Sequence, residues 1–212
     1  MLRKYITPWN ILVVIVLAAA VVAVFTVRDM EFFEQWSTDR FGLLFAVVVG
    51  LPLLLIFKIN EMIYIRKVES SLKITDAEVR MYKVEKLLRA ITVNVDDSRL
   101  PKKLIVPKSR LLKERAVYLM SKGKFSAALN DFDWIDLIMA RMKPLETDSP
   151  HIDLREECMA LCSIALSRLG EIIGAERKLE PLLARFPYLD SQERRIIQVA
   201  HDELTHAKRA KT

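Results

Sequence analysis

Two uncharged apolar runs, Ile11–Val27 and Phe41–Phe57, constrain this chain more than any other feature. At 1.5 Å rise per residue each spans roughly 25 Å as a helix. Trp9, Asn10 and Lys58 at the flanks complete a crossing length. Neither run carries the polar face of a helix buried in a soluble core. The expected structure is a transmembrane hairpin: residues 9–27, an external loop 28–40, and residues 41–58. Neither run contains Asp, Glu, Lys, Arg or His, which argues against a pump or transporter. Pro52 lacks an N–H and is expected to kink the second span near Ala46–Val48.

The net charge of +6 matters less than its distribution. Arg3 and Lys4 precede the first span, in residues 1–8, and Lys58, Arg66 and Lys67 follow the second. In the loop, Arg28 and Arg40 face Asp29, Glu31, Glu34 and Asp39. Basic residues are retained on the cytoplasmic side, so both termini are expected inside, at a bacterial inner membrane. A cleaved signal peptide ending near Ala18 or Ala20 is the rival reading, but the run continues to Val27 with no polar segment.

Past the membrane the chain is expected to be all-α, with only five Gly and helical apolar spacing. The juxtamembrane stretch 59–92 places Ile65, Val68, Leu72, Val79 and Tyr82 at 3- and 4-residue steps, and Val84, Leu88 and Ile91 in a shifted register. A short dimerising coiled coil and a helix packed on its own domain are both compatible with it. Thr75-Asp76-Ala77-Glu78 matches a capping box, so a fresh helix can start there. Residues 93–109, with Pro101, Pro107, Lys102, Lys103 and Lys108, read as a linker. Those lysines could touch anionic lipid or nucleic acid, but no aromatic residue interleaves them and no nucleic-acid motif surrounds them, so a solvated linker near the membrane is the expected reading.

From Leu111 the chain repeats itself. Leu112, Ala116, Leu119, Gly123, Phe125, Ala128 and Phe132 recur 47 residues later as Met159, Ser163, Leu166, Gly170, Ile172, Ala175 and Leu179. Each set reads as helix, Gly turn, helix. The small residues would let antiparallel helices approach closely, and Phe132 and Leu179 would fill the groove between hairpins. Asp190 or Ser191 can cap a last helix to about Lys208, with Ile196, Ile197, Val199, Ala200 and Leu204 on one face. Such a helix would close the stack.

This pattern resembles the tetratricopeptide repeat, most closely over Gly123–Phe132, and Pro187 stands where that family often ends a second helix. The offset exceeds the family's repeat of about 34 residues, and Ala140 replaces a Pro. Leu112 and Leu119 replace the typical Trp and Tyr. Two spans followed by helical repeats also resemble, in layout, the HemY-type membrane proteins. A small lipopolysaccharide-assembly membrane protein has a similar layout. The resemblance implies a tetratricopeptide-like domain over 110–212 whose first helices line a groove. Carried over by position, the groove residues are Arg110, Lys113, Val117 and Ser121, then Glu157, Ala160, Ile164 and Arg168. Arg110 and Lys113 would hold an acidic group. Val117 replaces the Asn with which chaperone-binding members grip a C-terminal carboxylate, so an internal segment or helix is the expected ligand.

Catalytic chemistry finds no support. His201 and His206 are five apart, about 140° around a helix, so they lack the zinc-protease spacing. Cys158 and Cys162 have no second Cys or His pair nearby and read as reduced core residues. No phosphate-cradling Gly loop and no nucleophile with an adjacent base appears. The expected protein is therefore not an enzyme and carries no cofactor or metal. It is an adaptor that recruits protein partners at the cytoplasmic face of the inner membrane. The competing class is a structural homo-oligomer built through the hairpin and residues 59–92. For topology, a reporter fused after Thr212 should read cytoplasmic and Ser37→Cys should label from outside; an externally active reporter reverses the orientation.

Overall fold

The structure is a computed structural model that describes residues 47, 50–92, 100–142 and 152–211. The expected segments 1–8, 9–27 and 28–40, and most of the first half of 41–58, lie outside the described residues. Among the described residues the fold is all-α, with seven α-helices and no strand. These are α1 (Leu51–Leu72), α2 (Ala77–Thr92), α3 (Lys102–Ser121), α4 (Phe125–Met139), α5 (Leu154–Arg168), α6 (Ile172–Arg185) and α7 (Ser191–Arg209). The chain divides into two compact units, Met1–Tyr64 and Ile65–Thr212.

In the first unit the end of the second apolar run enters α1 without a break. Val47 and Gly50 are π-helical, the local widening expected where Pro52 withholds a donor. Leu54, Leu55, Ile59, Met62 and Ile63 are exposed. No helix of the described residues is long and apolar enough to cross a membrane.

The second unit begins within α1. Residues 59–92 do not form one helix, because the chain turns between Leu72 and Ala77. The cap of α2 is Asp76 and not Thr75: its carboxylate accepts from the Glu78 and Val79 N–H groups at 2.9 and 3.0 Å. The turn resets the register. Met81, Val84 and Leu88 are buried, whereas Val79 and Tyr82 are exposed. Helix α2 packs on α3 of its own chain, which favours the packed helix over the coiled coil. Arg80 links them by pairing with Glu114 at 3.5 Å.

Of the expected linker 93–109, residues 93–99 lie outside the described residues, and the part from Lys102 onward is helical rather than linker. Helix α3 starts at Lys102, eight residues before the expected domain boundary. Pro101 sits at the N-cap, and Pro107 removes a single donor from the second turn. Burial outweighs that loss, since Leu100, Ile105, Ser109 and Leu111 are fully enclosed.

The repeat is reproduced bond for bond. Helices α3 and α4 reverse at Lys122-Gly123-Lys124, and α5 and α6 at Leu169-Gly170-Glu171. In the first turn Gly123 N–H donates to Met120 O and Lys124 N–H to Leu119 O; in the second Gly170 N–H donates to Ser167 O and Glu171 N–H to Leu166 O. These pairs form a Schellman motif, which needs a left-handed residue after the helix. Gly123 and Gly170 supply it at φ 70° and 77°. Ala116, Ala128, Ser163 and Ala175 are all fully buried. The Ser163 hydroxyl donates to the Ala175 carbonyl at 3.0 Å, so the two helices of the second hairpin touch there. Phe132 and Leu179 are buried, as a groove-filling role requires.

Helix α5 packs on α3, α4, α6 and α7. Its N-cap Asp153 forms a reciprocal box with Glu156, at 2.9 and 3.0 Å. A short 3₁₀ turn, Phe186–Tyr188, follows α6 and contains Pro187. Asp190 then caps α7, accepting from Gln192 and Glu193 N–H. Ile197, Ala200 and Leu204 face the core, but Val199 is exposed, contrary to the sequence expectation.

Two substitutions test this packing. Ala128→Leu overpacks the first hairpin and should cost about 1–3 kcal/mol. Gly123→Ala forces a side chain into the left-handed region and should cost about 1–2 kcal/mol. Thermal unfolding of the fragment Ile65–Thr212 reads both; an unchanged midpoint for either variant would remove the contact or turn assigned to it.

Candidate functional site

The eight positions expected to line a groove lie on α3 and α5, the first helices of the two hairpins. Spacings of three and four place each set along one helix face. The structure brings the sets together at one point: Lys113 Nζ donates to both Glu157 carboxylate oxygens, at 2.9 and 2.8 Å. Arg110 is exposed and shares a cleft of about 520 Å³ with this pair. Glu114, Asp153 and Glu193 line the same cleft. It therefore carries more acids than bases. Lys113, expected to hold an acidic ligand, already holds Glu157.

Farther along, Val117 is 41% exposed and Ile164 is half-buried. Ser121 is exposed and its hydroxyl donates to Tyr118 O of its own helix at 2.7 Å. Arg168 is bound to Glu203 of α7 at 2.5 Å. Ala160 departs from the expectation: it is fully buried and cannot meet a partner. Helix α5 is packed against α3, α4, α6 and α7. Helices α5 and α7 run parallel, since Glu193 lies near the Asp153 end and Glu203 near the Arg168 end. Packing on that many sides turns one of the four α5 positions into core.

Behind this face runs a layer of ion pairs that the apolar spacing did not single out. Arg115 donates to Asp131, which is 2% exposed, through Nε at 2.8 Å and through Nη2. That hydrogen bond holds the Arg115 guanidinium pKa above its usual value. Asp136 on α4 binds Lys178 on α6 and lies 3.6 Å from Arg155 on α5. Burial works to lower the Lys178 pKa, and the hydrogen bond and charge of Asp136 outweigh it, so the pKa is raised. Glu156 binds Arg185, a pair joining α5 to α6. One signal was present: Asp131 falls between Ala128 and Ile135 on a buried stripe, where an acid requires a cation.

Cys158 and Cys162 are buried and form no disulfide with each other. Burial pushes both thiols up to about 12. Among the described residues no cluster of His, Cys, Asp and Glu is arranged to hold a metal ion. His201 is exposed, with Asp202 at 3.7 Å.

No family model matches the chain, and neither a curated protein nor a solved structure matches it.

The cysteines yield a prediction with a definite sign. An unfolded thiol ionises near pH 9, whereas these stay protonated to about 12 in the fold. The folded state then binds more protons, so their contribution to stability falls as pH rises across that window. Replacing both by Ala should flatten this part of the pH–stability curve. At pH 8 the thiols should resist an aromatic disulfide reagent until denaturant is added; rapid labelling of the native protein contradicts the burial.

Proposed function

We propose that this chain is a membrane-anchored adaptor. Its N-terminal apolar hairpin holds it in a bacterial inner membrane with both termini cytoplasmic. Its helical-repeat unit, of tetratricopeptide type, recruits protein partners there. The chain performs no catalysis and binds neither cofactor nor nucleic acid; lipid and protein are its partners. The observation that carries the reading is the exposure of Val117, a β-branched apolar residue, on the same helix face as Arg110 and Ser121. Its repeat equivalent Ile164 remains half-buried rather than enclosed.

The groove that results is shorter than position alone implies. Ala160 is withdrawn into the core, and Lys113 and Glu157 neutralise each other. A ligand anchored on Val117 and Ile164 would be an apolar segment or helix face, with little call for a strong charge. The exposed apolar residues of α1, Leu54 to Ile63, support the lipid-facing part of the reading.

Val117→Asp combined with Arg110→Glu tests the adaptor. Both residues are surface positions, so the fold should survive. Partners that co-purify with the parent protein in mild detergent should be lost, by roughly tenfold or more, if the face binds through a central apolar anchor. Retention of the same partners by a folded double variant overturns the assignment of this face.

A further inference from the structure

We propose that the exposed face of α2 docks on an anionic lipid surface. The inference deepens the membrane-anchored reading and rests on it.

The helix period builds this face. Val79, Tyr82, Lys83, Lys86 and Arg89 fall within roughly 120° of arc around α2. Met81, Val84 and Leu88 occupy the opposite side and are buried. All five residues of the face are exposed, Tyr82 to 69% and Val79 to 46%. A phenol ring and a branched aliphatic side chain therefore stand in solvent among cations.

The charge of the face has one sign. Helix α2 contains two acids, Glu78 and Glu85. Glu85 is half-buried and held by Arg89 at 3.4 Å, and Glu78 lies 3.7 Å from Lys122 of α3. Lys83 and Lys86 have no ion-pair partner among the described residues. Lys73, in the turn before α2, is exposed as well, and so are Arg66 and Lys67 of α1. The Asp76 carboxylate in that turn is already occupied as the cap of α2.

The place of α2 in the chain decides the occupant. Lys58, at the end of the second apolar run, precedes Ala77 by about 20 residues. A membrane that holds the run therefore meets the α2 face at high effective concentration. Such a surface answers both halves of the face. Its phosphates attract the lysines, and its headgroup layer accepts the amphipathic ring of Tyr82. A few cations alone bind anionic lipid weakly, so the tether is what makes so small a face sufficient.

The test uses the full-length protein carrying Val79→Cys, labelled with an environment-sensitive fluorophore. Cys158 and Cys162 are buried and do not compete for the label. The protein is reconstituted in vesicles of phosphatidylcholine alone, or of phosphatidylcholine mixed with phosphatidylglycerol. A nitroxide quencher carried on the lipid should dim the dye in the anionic vesicles only, and high salt should restore its emission. Lys83→Gln with Lys86→Gln should lower the docked-to-free ratio roughly thirtyfold, about fivefold for each lysine. Arg177→Gln, at an exposed position of α6, should leave it unchanged. Extraction of the vesicles with alkaline carbonate reads the anchor separately. A protein that resists extraction but shows no quenching overturns the docking and leaves the anchor standing. A protein that carbonate removes overturns the anchored reading and the docking with it. Quenching equal in neutral and anionic vesicles, or reduced as much by Arg177→Gln as by the double lysine variant, also overturns the proposal.

Discussion

The close approach of two helix backbones at paired small residues is the contact on which the repeat unit depends. Ala116 and Ala128 in one hairpin, and Ser163 and Ala175 in the other, are wholly enclosed. Larger side chains there would push the helices apart, and the Leu and Phe residues flanking them would lose their packing. The two glycine turns make the approach reachable, because each returns the chain within three residues while satisfying the last carbonyls of the first helix. In the second hairpin Ser163 adds a hydrogen bond across the contact. That hydroxyl would be costly if left unpaired at such depth, so its bond to Ala175 also defines which turn of α6 lies opposite α5.

Much of this was legible in the sequence because it rests on local rules. The 47-residue self-match located both turns, both small pairs and the groove-filling Phe132 and Leu179. Asp190 and Pro187 marked the boundaries of the last helices, through capping and the missing N–H. What escaped depended on non-local packing. Pro101 and Pro107 are strong breakers by composition, yet burial of Leu100, Ile105 and Leu111 draws their surroundings into α3. Tyr82 fits a heptad on paper, but the Asp76 cap rotates α2 and turns that side chain outward.

The candidate face shows the same division. Val117 and Arg110, named from their positions along α3, are both exposed. Position alone could not foresee the enclosure of Ala160 or the engagement of Arg168 by Glu203, since both depend on how other helices pack around α5. Lys113 and Glu157 were each assigned to a ligand, although they are 44 residues apart and satisfy one another. Likewise, the acidic first turn of α5 reads as macrodipole complementarity, but Glu156 and Glu157 also anchor two other helices.

The position of α7 has a kinetic consequence. Helices α3 to α6 contact their immediate neighbours in the chain, an arrangement of low contact order that lets either hairpin form early and independently. Helix α7 is different, because its main contact passes over α6 to reach α5. That docking closes a longer loop than contacts between successive helices, so it follows formation of the second hairpin. Stability gained at this junction should therefore slow unfolding far more than it speeds folding.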